Sequence, residues 1–266
     1  MGFYADPPGK PPLLLMHGFL SSRNHWRLNE ERLRSRYRLI IAELPGHGET
    51  KPEGPVDVSP EVLVDAIEAA RIALDIPCWH LCGQSFGAGL TIRYALRFPQ
   101  HVGAMVWTNS NRIITDPLST EGQQALTARA DAIEIHGLEG IRRERVYPGK
   151  ARYFPEEIRQ ILAQDADGSD PAIMVDIIRK AVGHVSVGDR LKDLTVPTLL
   201  INGFRERSFQ QWRHRAAELL PTMEIIDLDG GHSINIEQAE AFNSASLEFL
   251  ARHDHLLAQE QFAGNH

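Results

Sequence analysis

The chain has 266 residues, 42% of them apolar, enough for one large α/β domain or two small ones with a sizeable core. Its formal net charge of -7 argues against nucleic acid and against an anionic membrane surface as partners. There is no apolar run long enough for a membrane span. The two cysteines, Cys78 and Cys82, are four apart on one expected strand, too far to bridge, and read as buried thiols of a reducing compartment.

Residues 1–8 lack the charged and apolar regions of a signal peptide, so the expected location is cytoplasmic. Leu13-Leu14-Leu15-Met16 is a short apolar run between prolines and His17-Gly18, the pattern of a strand buried on both faces. After the loop His17-Gly18-Phe19-Leu20-Ser21-Ser22, a short helix is expected near Ser22, carrying Trp26. Residues 37–43 form a second strand, which ends in the turn-rich Leu44-Pro45-Gly46-His47-Gly48. Ser59-Pro60-Glu61 predicts a helix start, with Ser59 as cap and proline at the first helical position. Residues 78–82 form the strand that enters Gly83-Gln84-Ser85-Phe86-Gly87.

That pentapeptide fits a sharp strand-to-helix turn of the G-x-S-x-G type. Such a turn strains the serine backbone and presents its hydroxyl above a sheet. Flanking glycines keep Cβ atoms out of the crowded space. The helix that follows is expected to run to about Phe98. Further strands are predicted at residues 102–108, 198–202 and 223–228. Helices are predicted at about 210–220 and 237–252, the latter with Phe242, Ala245 and Phe249 on one face. Residues after His255 read as frayed.

Strand–helix alternation predicts a mostly parallel sheet with helices on both faces. One segment breaks the rhythm. Residues 111–194 contain no good strand and read as helices at 121–135, 138–146, 155–165 and 171–182. This is too long for a simple crossover. It reads as a lid over the strand ends where open α/β sheets bind ligands. The expected division is a core of residues 1–110 and 195–266, with a helical cap at 111–194.

Four features then stand in a fixed order, each at a strand end: His17-Gly18, the turn at Ser85, Gly203-Phe204-Arg205-Glu206, and Gly230-Gly231-His232. Together they resemble the α/β-hydrolase fold superfamily over nearly the whole chain. The motif set is similar to the branch holding enol-lactonases, small esterases and C–C bond hydrolases. The resemblance implies Ser85 as nucleophile, His232 as general base and then acid, and Glu206 as the acid of a triad. It implies an oxyanion hole made by the N–H groups of Phe19 and Phe86. Asp227 and Asp229 are the rival acids, too close along the chain to reach behind His232. Arg205 and Arg207 are expected to compete for the Glu206 carboxylate. Residues 2–8 leave room for at most one further strand, so a shortened sheet or a trimmed start is expected.

For His17 and His47, ring hydrogen bonds that hold loops are the better reading. Asn109, at the end of a core strand, stands where some members hold an alternative acid, but an amide cannot balance imidazolium charge. Phe19, Leu20, Phe86, Trp107 and Phe204 are expected to wall an apolar pocket. Arg142, Arg143 and Arg145 read as a solvated helix face. Arg112 is the best candidate to grip a substrate carboxylate. No metal and no cofactor are expected. The expected partners are a small-molecule substrate and at most a second copy of the chain.

The implied activity is cofactor-independent cleavage of an ester or lactone of a small carbonyl compound through an acyl-enzyme. A serine at the turn separates the chain from fold members that attack with aspartate. Two rivals stand beside this reading: C–C bond hydrolysis or a lyase step on a small oxo acid, and a ligand-binding protein that kept the fold with weak catalysis.

Overall fold

A computed structural model describes residues 1–115 and 118–257. Seven strands form one sheet: β1 (Gly2–Ala5), β2 (Pro12–Met16), β3 (Arg38–Glu43), β4 (Trp79–Gly83), β5 (Val102–Thr108), β6 (Thr198–Gly203) and β7 (Glu224–Leu228). Their order is β1-β3-β2-β4-β5-β6-β7. β1 pairs antiparallel with β3, and every other pair is parallel. The single extra N-terminal strand thus takes the edge. Parallel strands need crossovers, and these put helices on both faces.

Side chains of one strand alternate between those two faces. Leu14 and Met16 of β2 enter one apolar cluster, with Trp79, Phe86 and Trp107, while Leu13 and Leu15 enter the other, with Trp26, Phe242 and Phe249. A continuous apolar run is what a strand covered on both sides requires.

The helices are α1 (Glu30–Arg34), α2 (Pro60–Ala73), α3 (Phe86–Arg97), α4 (Thr120–His136), α5 (Leu138–Arg143), α6 (Glu156–Asp167), α7 (Pro171–Ile177), α8 (Arg207–Leu219), α9 (Ile234–Glu237) and α10 (Ala239–Arg252). Ser22 caps the short 3-10 helix that carries Trp26, accepting from Asn24 N–H. Three local expectations need correction. Ser59 stands at the start of α2, but its hydroxyl makes no capping bond; Asp57 instead accepts from Ser59 N–H at 2.8 Å. α5 stops at Arg143, because Glu144 turns inward to a two-pronged pair with Arg129. The C-terminal stretch does not fray at His255: Asp254–Leu257 is a 3-10 turn, and Asp254 anchors it to Arg36, Tyr37 and His80. The remainder of that expectation, residues 258–266, lies outside the described residues.

Between β5 and β6 the described residues are helical or irregular, with α7 running on into a π-type turn, Ile178–Val182. No helix among the described residues is long and apolar enough to cross a membrane.

Candidate active site

The turn after β4 places Ser85 in a conformation that L-residues rarely adopt, with φ 54° and ψ -117°. Close packing enforces it. A Cβ at Gly83 would meet the backbone of Ala88, with its N at 2.8 Å, and one at Gly87 would land on the carbonyl oxygens of Met16 and His17. Only glycine lets β2 and the start of α3 approach this closely. The strain is an observed outlier of the kind found at functional sites.

Ser85 Oγ lies 2.8 Å from Nε2 of His232. On the far side of the ring, His232 Nδ1 donates to Glu206 Oε2 at 2.9 Å. A carboxylate can only accept, so Nδ1 carries the proton and Nε2 is free to accept from the serine hydroxyl. Gly203 is what brings the two loops together: a Cβ there would collide with the carbonyls of Gly230 and Gly231.

Glu206 is largely buried, with 9% of its side chain exposed. Burial opposes its ionisation. The charge and hydrogen bond of His232, with the amides of Asn109 and Asn111, outweigh that and hold its carboxyl at about 2. Asn109 Nδ2 donates to Oε2 at 3.0 Å and Asn111 Nδ2 to Oε1 at 2.7 Å. Asn109 also ties β5 to β6 through both the N–H and the C=O of Gly203, each at 2.9 Å.

The expected competition from Arg205 and Arg207 does not arise. Arg205 pairs with Asp229 at 3.1 Å and stacks on Tyr153. The cation near Glu206 is Arg145, from the helical segment, 3.9 Å from Oε1. Arg145 was expected on a solvated face, and its side chain is indeed 75% exposed. Asp227 is taken up by Arg213 and Asn202, so neither aspartate is turned to His232. Sequence reasoning missed Asn111 and Arg145 as neighbours of the carboxylate, and no local pattern marks them.

The loop after β2 packs over Ser85. His17 and His47 serve as rivets, as expected. His17 Nε2 accepts from Leu44 N–H and His47 Nε2 from Leu20 N–H, each at 3.1 Å. Leu20 is itself forced to φ 54°. The N–H groups of Gly87 and Ala88 bond to Gln84 O and Ser85 O. Among the described residues, none accepts from the N–H of Phe19 or of Phe86. Two free N–H groups beside a serine hydroxyl can hold a developing oxyanion.

Two cavities meet at Ser85, His232 and Phe19, one of about 380 Å³ and one of about 390 Å³. Leu20 lines the first, with Tyr147, Tyr153 and Phe154 from the helical segment. Phe86 and Arg112 line the second, with Trp212. Two expected wall residues lie elsewhere. Trp107 is fully buried behind β5, edge-on to Phe209, because both faces of a parallel strand are covered. Phe204 points outward, 47% exposed. Among the described residues, no group of three His, Cys, Asp or Glu side chains is placed to hold a metal ion.

The family model described as "alpha/beta hydrolase fold" matches residues 11–131, a little under half of the chain, which carry β2 to β5 and the turn at Ser85. MenH from S. aureus superposes with a TM-score of 0.84 over 95% of this chain and 98% of its own, at 23% identity. The chain has the α/β-hydrolase fold. Relatives named as hydrolases support an enzyme of the α/β-hydrolase type. A protein of Agrobacterium fabrum named as the carbamate hydrolase RutD is 25% identical over 90% of this chain and 93% of its own length. The acetyltransferase component of the acetoin-cleaving system of Pseudomonas putida is 26% identical over 92% of this chain, which spans 65% of that protein.

Proposed function

We propose that the chain is a cofactor-independent serine hydrolase that cleaves an ester or lactone of a small carbonyl compound. One observation carries this reading: a strained serine whose Oγ sits 2.8 Å from an imidazole that a carboxylate holds from the other side at 2.9 Å. In the proposed cycle, Ser85 Oγ attacks the carbonyl and His232 Nε2 takes its proton. The N–H groups of Phe19 and Phe86 hold the oxyanion, and Glu206 offsets the imidazolium charge. Collapse expels the alcohol with the proton from His232. Water, deprotonated by the same ring, then releases the acid. A relative named for hydrolysis of a carbamate, also an acyl compound, supports attack on such a carbonyl.

The test is labelling by a fluorophosphonate probe and turnover of a panel of p-nitrophenyl esters, lactones and ring-cleavage dienones. Ser85→Ala should abolish labelling and lower kcat on the order of 10⁴- to 10⁶-fold. Turnover of a dienone without any ester or lactone would replace this reading with C–C bond hydrolysis. Full activity in Ser85→Ala would end it.

A further inference from the structure

The cavity on the Phe86 side of Ser85 has an unusual electrical lining. Three arginines face it, Arg112, Arg129 and Arg145, and among the described residues no aspartate or glutamate does. The protein as a whole carries a net charge of -7, so this is a positive lobe in an acidic molecule.

The three cations are not equivalent. Arg129 is held by Glu144, with Nε 3.1 Å from Oε1 and Nη2 2.6 Å from Oε2. Arg145 leans toward Glu206. Arg112 has no acidic partner, and its guanidinium makes no hydrogen bond among the described residues. It is nonetheless partly withdrawn from water, and this burial, with the nearby charge of Arg129, weakens its hold on its proton. A guanidinium offers five donors in a rigid fork that matches a carboxylate. Leaving that fork half-buried and unpaired is unfavourable unless a ligand completes it.

The rest of the lobe limits what the ligand is. Val146, Val182 and Val185 give it aliphatic walls, which suit a short methylene chain. One arginine without a partner among the described residues matches one negative charge, and so a carboxylate better than a phosphate dianion.

Resting on the hydrolase reading above, we infer that the substrate is an ester or lactone with a carboxylate-bearing arm, such as the monoester of a short dicarboxylic acid, and that Arg112 is the residue that selects it. The scissile carbonyl then sits at Ser85, and the anionic end lies in the lobe of about 390 Å³. Ser85 acylation releases the alcohol, and water releases the free dicarboxylate.

The experiment compares p-nitrophenyl monoesters of succinate, glutarate and adipate with neutral p-nitrophenyl esters of the same chain length. The intact protein should prefer the best anionic ester at least about 10-fold in kcat/KM, and Arg112→Gln should collapse that ratio by about 10- to 100-fold. Arg112→Lys keeps the charge without the fork and should recover part of it.

A binding arm needs no turnover. Trp212 lines this lobe, whereas Trp26, Trp79 and Trp107 are fully buried in the core. Glutarate should change tryptophan emission saturably, less so in Trp212→Phe, with Kd raised at least about 10-fold in Arg112→Gln and by added salt. Neutral esters turned over as well as anionic ones, with Ser85 still labelled, would overturn this inference and leave the hydrolase reading standing. Absence of labelling and of turnover would end the hydrolase reading, and glutarate binding would then decide on Arg112 by itself. A glutarate Kd equal in the parent and Arg112→Gln overturns the assignment of Arg112.

Discussion

Asn111 Nδ2 donates to Glu206 Oε1 at 2.7 Å, on the opposite carboxylate oxygen from the one His232 uses. The carboxylate is therefore gripped on both oxygens and cannot swing about its last bond. Asn111→Ala should lower kcat on a neutral ester about 10-fold, the range of one lost hydrogen bond to a charged group. Asn111→Gln, which retains the donor on a longer stem, should recover part of the loss. A kcat for Asn111→Ala within a factor of two of the parent would show that His232 alone suffices to hold Glu206.

Glu206→Gln keeps the shape of the acid and removes its charge. An amide can also present a donor to Nδ1 and favour the wrong ring tautomer, which in one serine protease lowered kcat about 10⁴-fold. A fall of at least about 10²-fold is expected here, with Asp227→Asn and Asp229→Asn near the parent because both aspartates pair with surface arginines. Kinetics of the three variants on one ester, with folding checked by circular dichroism, decides. If an aspartate variant is dead and Glu206→Gln is active, the acid is misassigned.

Gly87→Ala places a Cβ against the carbonyl oxygens of Met16 and His17. Backbone cannot yield as a side-chain tip can. The change should destabilise the protein by about 1–3 kcal/mol, read from the urea midpoint. An unchanged midpoint would mean that the turn has slack the structure does not show.

Acid should destabilise the fold well before the carboxylates titrate. Burial holds His25 and His47 neutral, each pushed down to about 3. In the unfolded chain their values return to about 6.5. As pH falls below about 6.5 the unfolded chain binds protons that the folded one refuses. Stability is therefore full above that pH and is lost progressively towards 3. At pH 5 the loss is about 2 kcal/mol per ring, about 4 kcal/mol for the pair. Urea unfolding at pH 7 and pH 5 measures it, with His17 and His80, lowered by burial in the same direction, adding to the loss, and His25→Gln should reduce the difference by about 2 kcal/mol. A flat stability across that window would refute the assignment.

The elements near the site were legible because their signals are local. The run at residues 102–108, without a charged residue and apolar but for Gly103 and Thr108, is β5 to the residue, as a strand covered on both faces requires. The glycines around Ser85 likewise announce a turn too tight for a Cβ. The spacing of Glu206 after Gly203 placed it at a strand end, and that end is where it stands.

What the sequence by itself determined is where strands fall along the chain and the residue types presented at their ends. Tertiary structure alone decided which of those side chains meet. Trp107 and Phe86 are both aromatic and adjacent to the turn, yet one is sealed behind β5 and the other lines a cavity; a strand apolar on both faces carries no mark of which face looks to the site. Arg205 stands next to Glu206 in the chain and turns away to Asp229, while Arg145, 61 positions earlier, reaches its carboxylate. The physical reason is the same in each case. Spacing along a chain sets which element a residue joins, whereas the packing of helices over strand ends sets which charges share a cavity, and that depends on contacts between segments far apart in sequence.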